Sequence, residues 1–335
     1  MVGPFPFNGG LAVREHPSFM AVVVLTALTL VSGVRAQSPP LELRQGDHIV
    51  FLGNTMAERL QQFNYFETML MARFADLDLV VRNLGWSGDT ITIQPRPLNF
   101  GDAARHLKDQ KADVIIAFFG LNESFDGEAG LPAFEKDLDA YLAMHQQAQY
   151  SERGTPRVVL VSPIAHERLA RLEHYVDQEA RNRELARYTE SMRKVAAARH
   201  VTFVDLFSPT KKLMDGASVP LTINGIHLSE AGDRIVAGLL MQGLGFQPTG
   251  QTGGMPPAQF EQLRDLVRDK NQQFFYRWRP VNGEYVVGRR VEPFGAVNFP
   301  PEMRRLDEMV SERDRRIWTQ AKSAGGLSPA AGERR

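Results

Sequence analysis

The sequence predicts an α/β fold: a three-layer α/β/α sandwich on a parallel, flavodoxin-like five-stranded sheet, with a C-terminal helical and aromatic extension. Three observations predict it. Short apolar runs recur between residues 41 and 246, three of them stopped by Gly53, Gly120 and Ser162-Pro163. Longer stretches between them place apolar residues three and four apart, the helical period. Strands that alternate with helices must cross over between pairings, which gives parallel pairing and covers both faces of the sheet.

The elements follow in order. Residues 48–52 (HIVFL) form the first strand and run into Gly53. Residues 57–74 carry Leu60, Phe63, Phe66, Leu70 and Phe74 at helical spacing, which predicts one helix. Residues 79–81 are a second strand, 114–119 (VIIAFF) a third, 157–161 (RVVLV) a fourth stopped by Ser162-Pro163, and 202–204 a fifth. Helices are predicted over 131–145, where Phe134, Leu138 and Leu142 share a face, and over 175–199, where Glu/Arg pairs recur. The last helix of this region covers 229–240, with Ser229 placed to cap it.

In such sheets ligands bind beyond the carboxyl ends of the strands. Just past those ends stand Gly53, Asn54 and Thr55; Asn83, Gly85, Ser87, Gly88 and Asp89; and Gly120, Asn122, Glu123 and Ser124. His166 and Glu167 follow the fourth strand, and Asn224 and His227 precede the last helix.

Composition excludes several function classes. Lys and Arg number 39, Asp and Glu 39, so no general electrostatic attraction to nucleic acid is expected. Hydrophobic residues make up 43% and charged residues 23%, the balance of a globular chain. There is no cysteine, which removes disulfides, thiolate nucleophiles and zinc–cysteine sites. Residues 19–31 (FMAVVVLTALTLV) lack any charge, and Val34-Arg35-Ala36 offers a cleavage point. That pattern predicts a signal peptide over 1–36 and an exported, periplasmic or secreted protein. The run is shorter than the roughly 20 apolar residues of a membrane span, so no stable insertion is expected after its removal. Losing Arg14, Glu15 and Arg35 leaves a net charge of −1.

Four segments, FLGNT, NLGWSGDT, FFGLNES and NGIHLSEAG, together resemble the ordered blocks of the SGNH/GDSL hydrolase family over about residues 46–246. The resemblance implies a three-layer α/β fold and hydrolysis of esters, often acyl groups on carbohydrates or lipids. By that resemblance Thr55 stands where the serine nucleophile follows a Gly-Asp pair, here Gly53-Asn54. Gly88 matches the backbone oxyanion donor and Asn122 the side-chain donor. His227 matches the base, and Asn224 replaces the aspartate three residues before it.

The two departures bear on the chemistry. Ester hydrolysis needs a nucleophile, a base for its proton and donors aimed at the developing oxyanion. A threonine hydroxyl is crowded by its β-methyl. An asparagine can orient an imidazole but brings no full negative charge to an imidazolium, and the equivalent change in a Ser-His-Asp enzyme costs on the order of 10⁴ in turnover. Asp89, Glu123 and Glu167 stand at the same predicted edge as alternative partners for His227, or as activators of water. His166 is a second candidate base, Ser87 and Ser124 are alternative hydroxyls, and Asn54 is a possible donor. Thr55 also reads as the N-cap of the following helix, Asn122 as an Asx-turn residue, and His166-Glu167 as a solvated helix start. His166, His227, Glu123 and Glu167 lack tight ligand spacing, and neither a metal nor another cofactor is expected.

Residues 247–257 (QPTGQTGGMPP) read as a linker. Residues 258–322 then form an extension expected to pack on the main domain, with helices over 257–275 and 301–322, and residues 323–335 form a tail. Residues 274–290 are dense in aromatics and arginine, with a turn expected at Asn282-Gly283. Arg277, Arg279, Arg289 and Arg290 suit either a clamp on the main domain, an anion in the site, or a protein interface. Two principal function classes stand: a hydrolase of small-molecule or glycan esters, and a catalytically degenerate protein that keeps the fold and binds a glycan or a partner. A metal- or carboxylate-assisted hydrolase is a third. Composition is silent on oligomeric state.

Overall fold

The computed structural model describes residues 39–97, 100–247, 250, 252–280 and 299–324. The expected signal peptide over 1–36, the turn at Asn282-Gly283, Arg289, Arg290 and the tail from 325 onward lie outside the described residues.

Five strands make the central sheet: β1 (His48–Gly53), β2 (Val80–Asn83), β3 (Val114–Phe118), β4 (Arg157–Val161) and β5 (Thr202–Val204). Every neighbouring pair is parallel, and the order is β2-β1-β3-β4-β5, the flavodoxin-like arrangement. Side chains alternate across a strand, so a sheet covered on both faces needs continuous apolar runs. Ile49, Phe51, Ile116, Phe118, Val159 and Val161 enter one core. Val50, Leu52, Ile115, Ala117 and Leu160 enter the other.

Helices α1 (Thr55–Phe63), α2 (Tyr65–Arg73) and α7 (Glu230–Gly243) line the first core. Helices α3 (Ala103–Asp109), α4 (Gly127–Gln147) and α5 (Gln178–Ala198) line the second. The single helix expected over 57–74 is two, because Asn64 adopts the left-handed conformation at φ 65°. Asparagine tolerates that region, and the Asn64 amide donates to the Gln61 C=O while the Asn64 C=O accepts from the Thr68 hydroxyl. Two short helices, α3 and α6 (Phe207–Gly216), were not expected from the sequence; Leu107 and Thr210 are their only fully buried residues.

The extension is helical. α8 (Pro257–Trp278) and α9 (Phe299–Ser323) pack on each other and on β2, an edge strand. Phe260, Leu263 and Val267 of α8 join the first core, whereas Phe274 and Trp278 join the second. The helix expected over 257–275 therefore runs on to Trp278, where burial of one face keeps the segment helical. An edge strand leaves carbonyls without partners. Here Lys270 Nζ donates to Val81 C=O at 2.9 Å and Trp318 Nε1 to Leu79 C=O at 2.8 Å. Arg82 and Asp314 add a buried ion pair at 2.5 Å, and Lys270 pairs with buried Glu67 at 2.7 Å. Among the described residues, no helix is long and apolar enough to cross a membrane.

Candidate active site

The first loop turns on a glycine. Gly53 sits at φ 125°, and a Cβ there would lie 2.1 Å from the Phe118 carbonyl oxygen. Only glycine lets β1 end this close to β3 and swing into α1. Asn54 follows, buried, with its N–H donating to the Phe118 C=O at 3.1 Å. Its side-chain oxygen accepts from the Met56 N–H at 3.0 Å, so Asn54 is the N-cap of α1. The capping role open to Thr55 is thereby corrected: Thr55 is the first helical residue. Its hydroxyl makes no hydrogen bond among the described residues, and its N–H is one of the orphan donors of a helix start. Half-buried Thr55 lines a cleft of about 390 Å³ with Phe118, Leu121, Ser162, Ile226 and His227.

His227 is held from its Nδ1 side. The Asn224 amide nitrogen lies 3.1 Å from Nδ1. The Asn224 oxygen already accepts from the His227 N–H at 2.9 Å and faces the Ile226 N–H at 3.4 Å. Two backbone donors thus fix the amide with its NH₂ toward the ring. An NH₂ can only donate, so Nδ1 must accept, and the ring proton sits on Nε2. A triad aspartate imposes the opposite tautomer, with Nδ1–H donating and Nε2 free to take a proton. Burial, then the Arg59 charge, lowers the His227 pKa and keeps the ring neutral near pH 7.

The oxyanion candidates lie in adjoining loops. Gly88 is exposed at φ 89°, and its N–H makes no hydrogen bond among the described residues. The Asn122 amide donates to the Asp89 C=O at 2.8 Å and leaves its second N–H unspent. That bond crosses between loops, so the Asx-turn reading of Asn122 does not hold. Asp89 makes a two-pronged ion pair with Arg96 at 2.5 and 2.7 Å, and burial raises its carboxyl against that cation's pull. Arg96 and Arg279 both stack on the Trp86 ring, at 4.3 and 4.1 Å. Arg279 also pairs with Glu58 at 3.1 Å, and Glu58 accepts from the Ser87 N–H at 2.5 Å. The end of α8 therefore braces the loop that carries Gly88. Arg277 is spent on Asp307 at 2.8 Å. Of the four arginines proposed for an anion, the two described ones are ion-paired, Arg279 onto the main domain and Arg277 within the extension.

The remaining candidates do not join His227. Glu123 accepts from the Ile91 and Gly120 N–H groups, and burial raises its carboxyl. Glu167 accepts from the Leu221 and Thr222 N–H groups and the Thr222 hydroxyl, which builds the loop leading to Asn224. His166 is tied through its backbone to Asn182, and its ring rests on Gly225, where a Cβ would meet it at 2.8 Å. Burial lowers its pKa. The Ser124 hydroxyl donates to the Leu121 C=O. Among the described residues, no cluster of three or more His, Asp or Glu side chains is placed to hold a metal ion.

Sequence reading missed Asp233. It is buried in α7, its Oδ1 has no partner, and it lines a second pocket with Arg59 and His227. Burial pushes its carboxyl from the ordinary 3.8 up to about 8, against the Tyr65 N–H and the Arg264 and Arg59 charges. The folded chain then holds a proton that the unfolded chain releases above pH 3.8. The stabilisation is complete below that pH and is lost as pH rises through about 8. The melting temperature of the wild type should therefore fall between pH 5 and 8.5, and Asp233→Asn should flatten that slope. Parallel slopes for the two proteins would remove the claim.

Among solved structures the chain is similar to a gut microbial diltiazem-metabolizing enzyme, at 20% identity and TM-score 0.49 over 63% of this chain. It spans 49% of that protein, about half its length. It is similar to Axe2, an acetylxylan esterase from Geobacillus stearothermophilus, at 17% identity and TM-score 0.46, over 62% of this chain and 98% of that one. It is also similar to LAE5, an alpha/beta hydrolase from the metagenome of Lake Arreo, Spain, at 18% identity and TM-score 0.46, over 61% and 97%. No curated protein matches it at a significant level. Residues 46–235, more than half of the chain and the span that holds Thr55, Gly88, Asn122 and His227, match the profile of one family. The chain belongs to the GDSL-like lipase/acylhydrolase family.

Proposed function

We propose that this chain is an exported hydrolase of short acyl esters, acetyl esters of carbohydrates first among them. The observation that carries the reading is that Asn54 caps α1 and leaves the Thr55 hydroxyl free in the cleft that His227 lines. Export is supported by the uncharged run 19–31 ahead of Ala36.

Thr55 Oγ1 attacks the ester carbonyl carbon, and His227 Nε2 takes its proton. The developing oxyanion meets the N–H groups of Thr55 and Gly88 and the free N–H of Asn122. The alcohol leaves with the proton from His227, and water repeats the sequence on the acyl-threonine. The first step requires Nδ1 to hold the ring proton, so the Asn224 amide must turn and give up its bond to the His227 N–H. Turnover is accordingly slow, set by the small fraction of rings in the competent tautomer.

The Asn224 orientation also favours a second reading, a degenerate family member that binds a glycan or a partner without cleaving it. An ester panel separates the two. With p-nitrophenyl acetate and acetylated xylo-oligosaccharides, Thr55→Ala and His227→Ala should each lower kcat/KM by at least about 10²-fold. Loss in His227→Ala alone would transfer the attack to water. No turnover above that of the variants would leave the binding reading.

A further inference from the structure

The pocket beside the reacting cleft is lined by charge that the hydrolysis of a neutral ester does not use. It lies between α1, α7 and the His227 loop, open to solvent, and it shares Met56, Ile226 and His227 with the cleft. Arg59 stands in it half-exposed, with no hydrogen bond or ion pair among the described residues. Among the described residues, Arg82, Arg96, Arg157, Arg193, Arg199 and Arg264 all hold carboxylates. The Arg59 charge is felt at both His227 and Asp233. Asp233 also lines the pocket, buried, with one carboxyl oxygen unpartnered. Leu60, Phe63 and Leu228 supply the apolar remainder.

We propose that this pocket binds a carboxylate carried by the substrate, held by the Arg59 guanidinium. A guanidinium pairs a carboxylate through two parallel hydrogen bonds. Burial raises the Asp233 carboxyl toward its neutral form, so it does not repel an incoming anion. Arg59 follows Thr55 by four residues on the same face of α1, about 6 Å of helix rise. An anion on Arg59 therefore falls a few bonds from an ester carbonyl presented to Thr55. The substrate class is an ester with a carboxylate on its acyl part, as in a dicarboxylic half-ester, or on its alcohol part, as in an acylated hydroxy acid. The proposal rests on the ester-hydrolase reading for the reacting bond and stands without it for the binding of the anion.

Two pairs of probes test it: monomethyl against dimethyl glutarate for the acyl side, and O-acetyl-lactate against its methyl ester for the alcohol side. Binding to the full chain is measured by calorimetry and hydrolysis by release of acid. The wild type should bind the charged member of at least one pair roughly tenfold or more tighter than the neutral member. Arg59→Met should collapse that ratio toward one, and Arg59→Lys should restore part of it. The pair that shows the preference identifies which side carries the carboxylate. A charge preference that depends on Arg59 without hydrolysis of any probe would uphold the pocket and remove the esterase reading. Equal binding of charged and neutral members by the wild type, or an unchanged ratio in Arg59→Met, would overturn the proposal whether or not the esters are cleaved.

Discussion

Replacing Asn224 by aspartate is expected to raise kcat/KM for short acyl esters on the order of 10²-fold or more. The reverse change in a Ser-His-Asp triad costs about 10⁴-fold, because the imidazole is trapped in the wrong tautomer. Here the trap is visible in the hydrogen bonds. The Asn224 oxygen is occupied by the His227 N–H, which turns the NH₂ toward Nδ1. An aspartate in the same rotamer keeps the bond to the His227 N–H with one oxygen and accepts Nδ1–H with the other. Nε2 is then the free acceptor, and the imidazolium gains a carboxylate partner. The His227 pKa, depressed by burial and by Arg59, should rise in the same variant. Ester kinetics together with an NMR titration of the ring read both effects. A raised pKa without a gain in turnover would show that Thr55 rather than the tautomer limits the reaction. Adding Thr55→Ser, which removes the crowding methyl, should then release it.

Replacing Lys270 by methionine is expected to destabilise the fold by about 3–5 kcal/mol, the cost of leaving one member of a buried ion pair alone. Lys270 is fully buried in α8, and its Nζ meets Glu67 at 2.7 Å, the Asn271 side-chain oxygen at 2.7 Å and the Val81 C=O at 2.9 Å. Burial lowers its pKa against the opposing pull of Glu67. The substitution strands the Glu67 charge between α2 and α8 and uncovers an edge carbonyl of β2. Removing the charge at both ends, with Glu67→Gln beside Lys270→Met, should recover part of the loss. Denaturant unfolding of the three proteins measures it. A single variant as stable as the wild type would mean that α8 adds little to the stability of the sheet.

Much of the fold was legible along the chain, for local reasons. Runs such as 114–118 have apolar side chains at both alternating positions, which only a strand covered on both faces requires. Gly53, Gly88, Asn122 and His227 stood in the order and context of a known family. The capping of α1 was not legible. Thr55 and Asn54 are both good caps, and the choice between them rests on how closely β1 approaches the Phe118 carbonyl. Nor were the fates of Glu123 and Glu167: at the same edge of the sheet as His227, both are consumed by loop N–H groups that no spacing rule places beside them.

Residue types and their periods thus set the strands and most of the helices, because each depends on neighbours within a few positions; the family resemblance picked out the blocks around Thr55, Gly88, Asn122 and His227 and the two departures within them. Three further properties needed the folded chain. These are the direction of the Asn224 amide, the closure of the β2 edge by Lys270 and Trp318, and the pocket that joins Arg59 to Asp233. Each depends on groups distant in sequence or on an angle about a single bond. Hydrogen-bond direction and burial act over a few ångströms in space, and only packing decides which groups come that close.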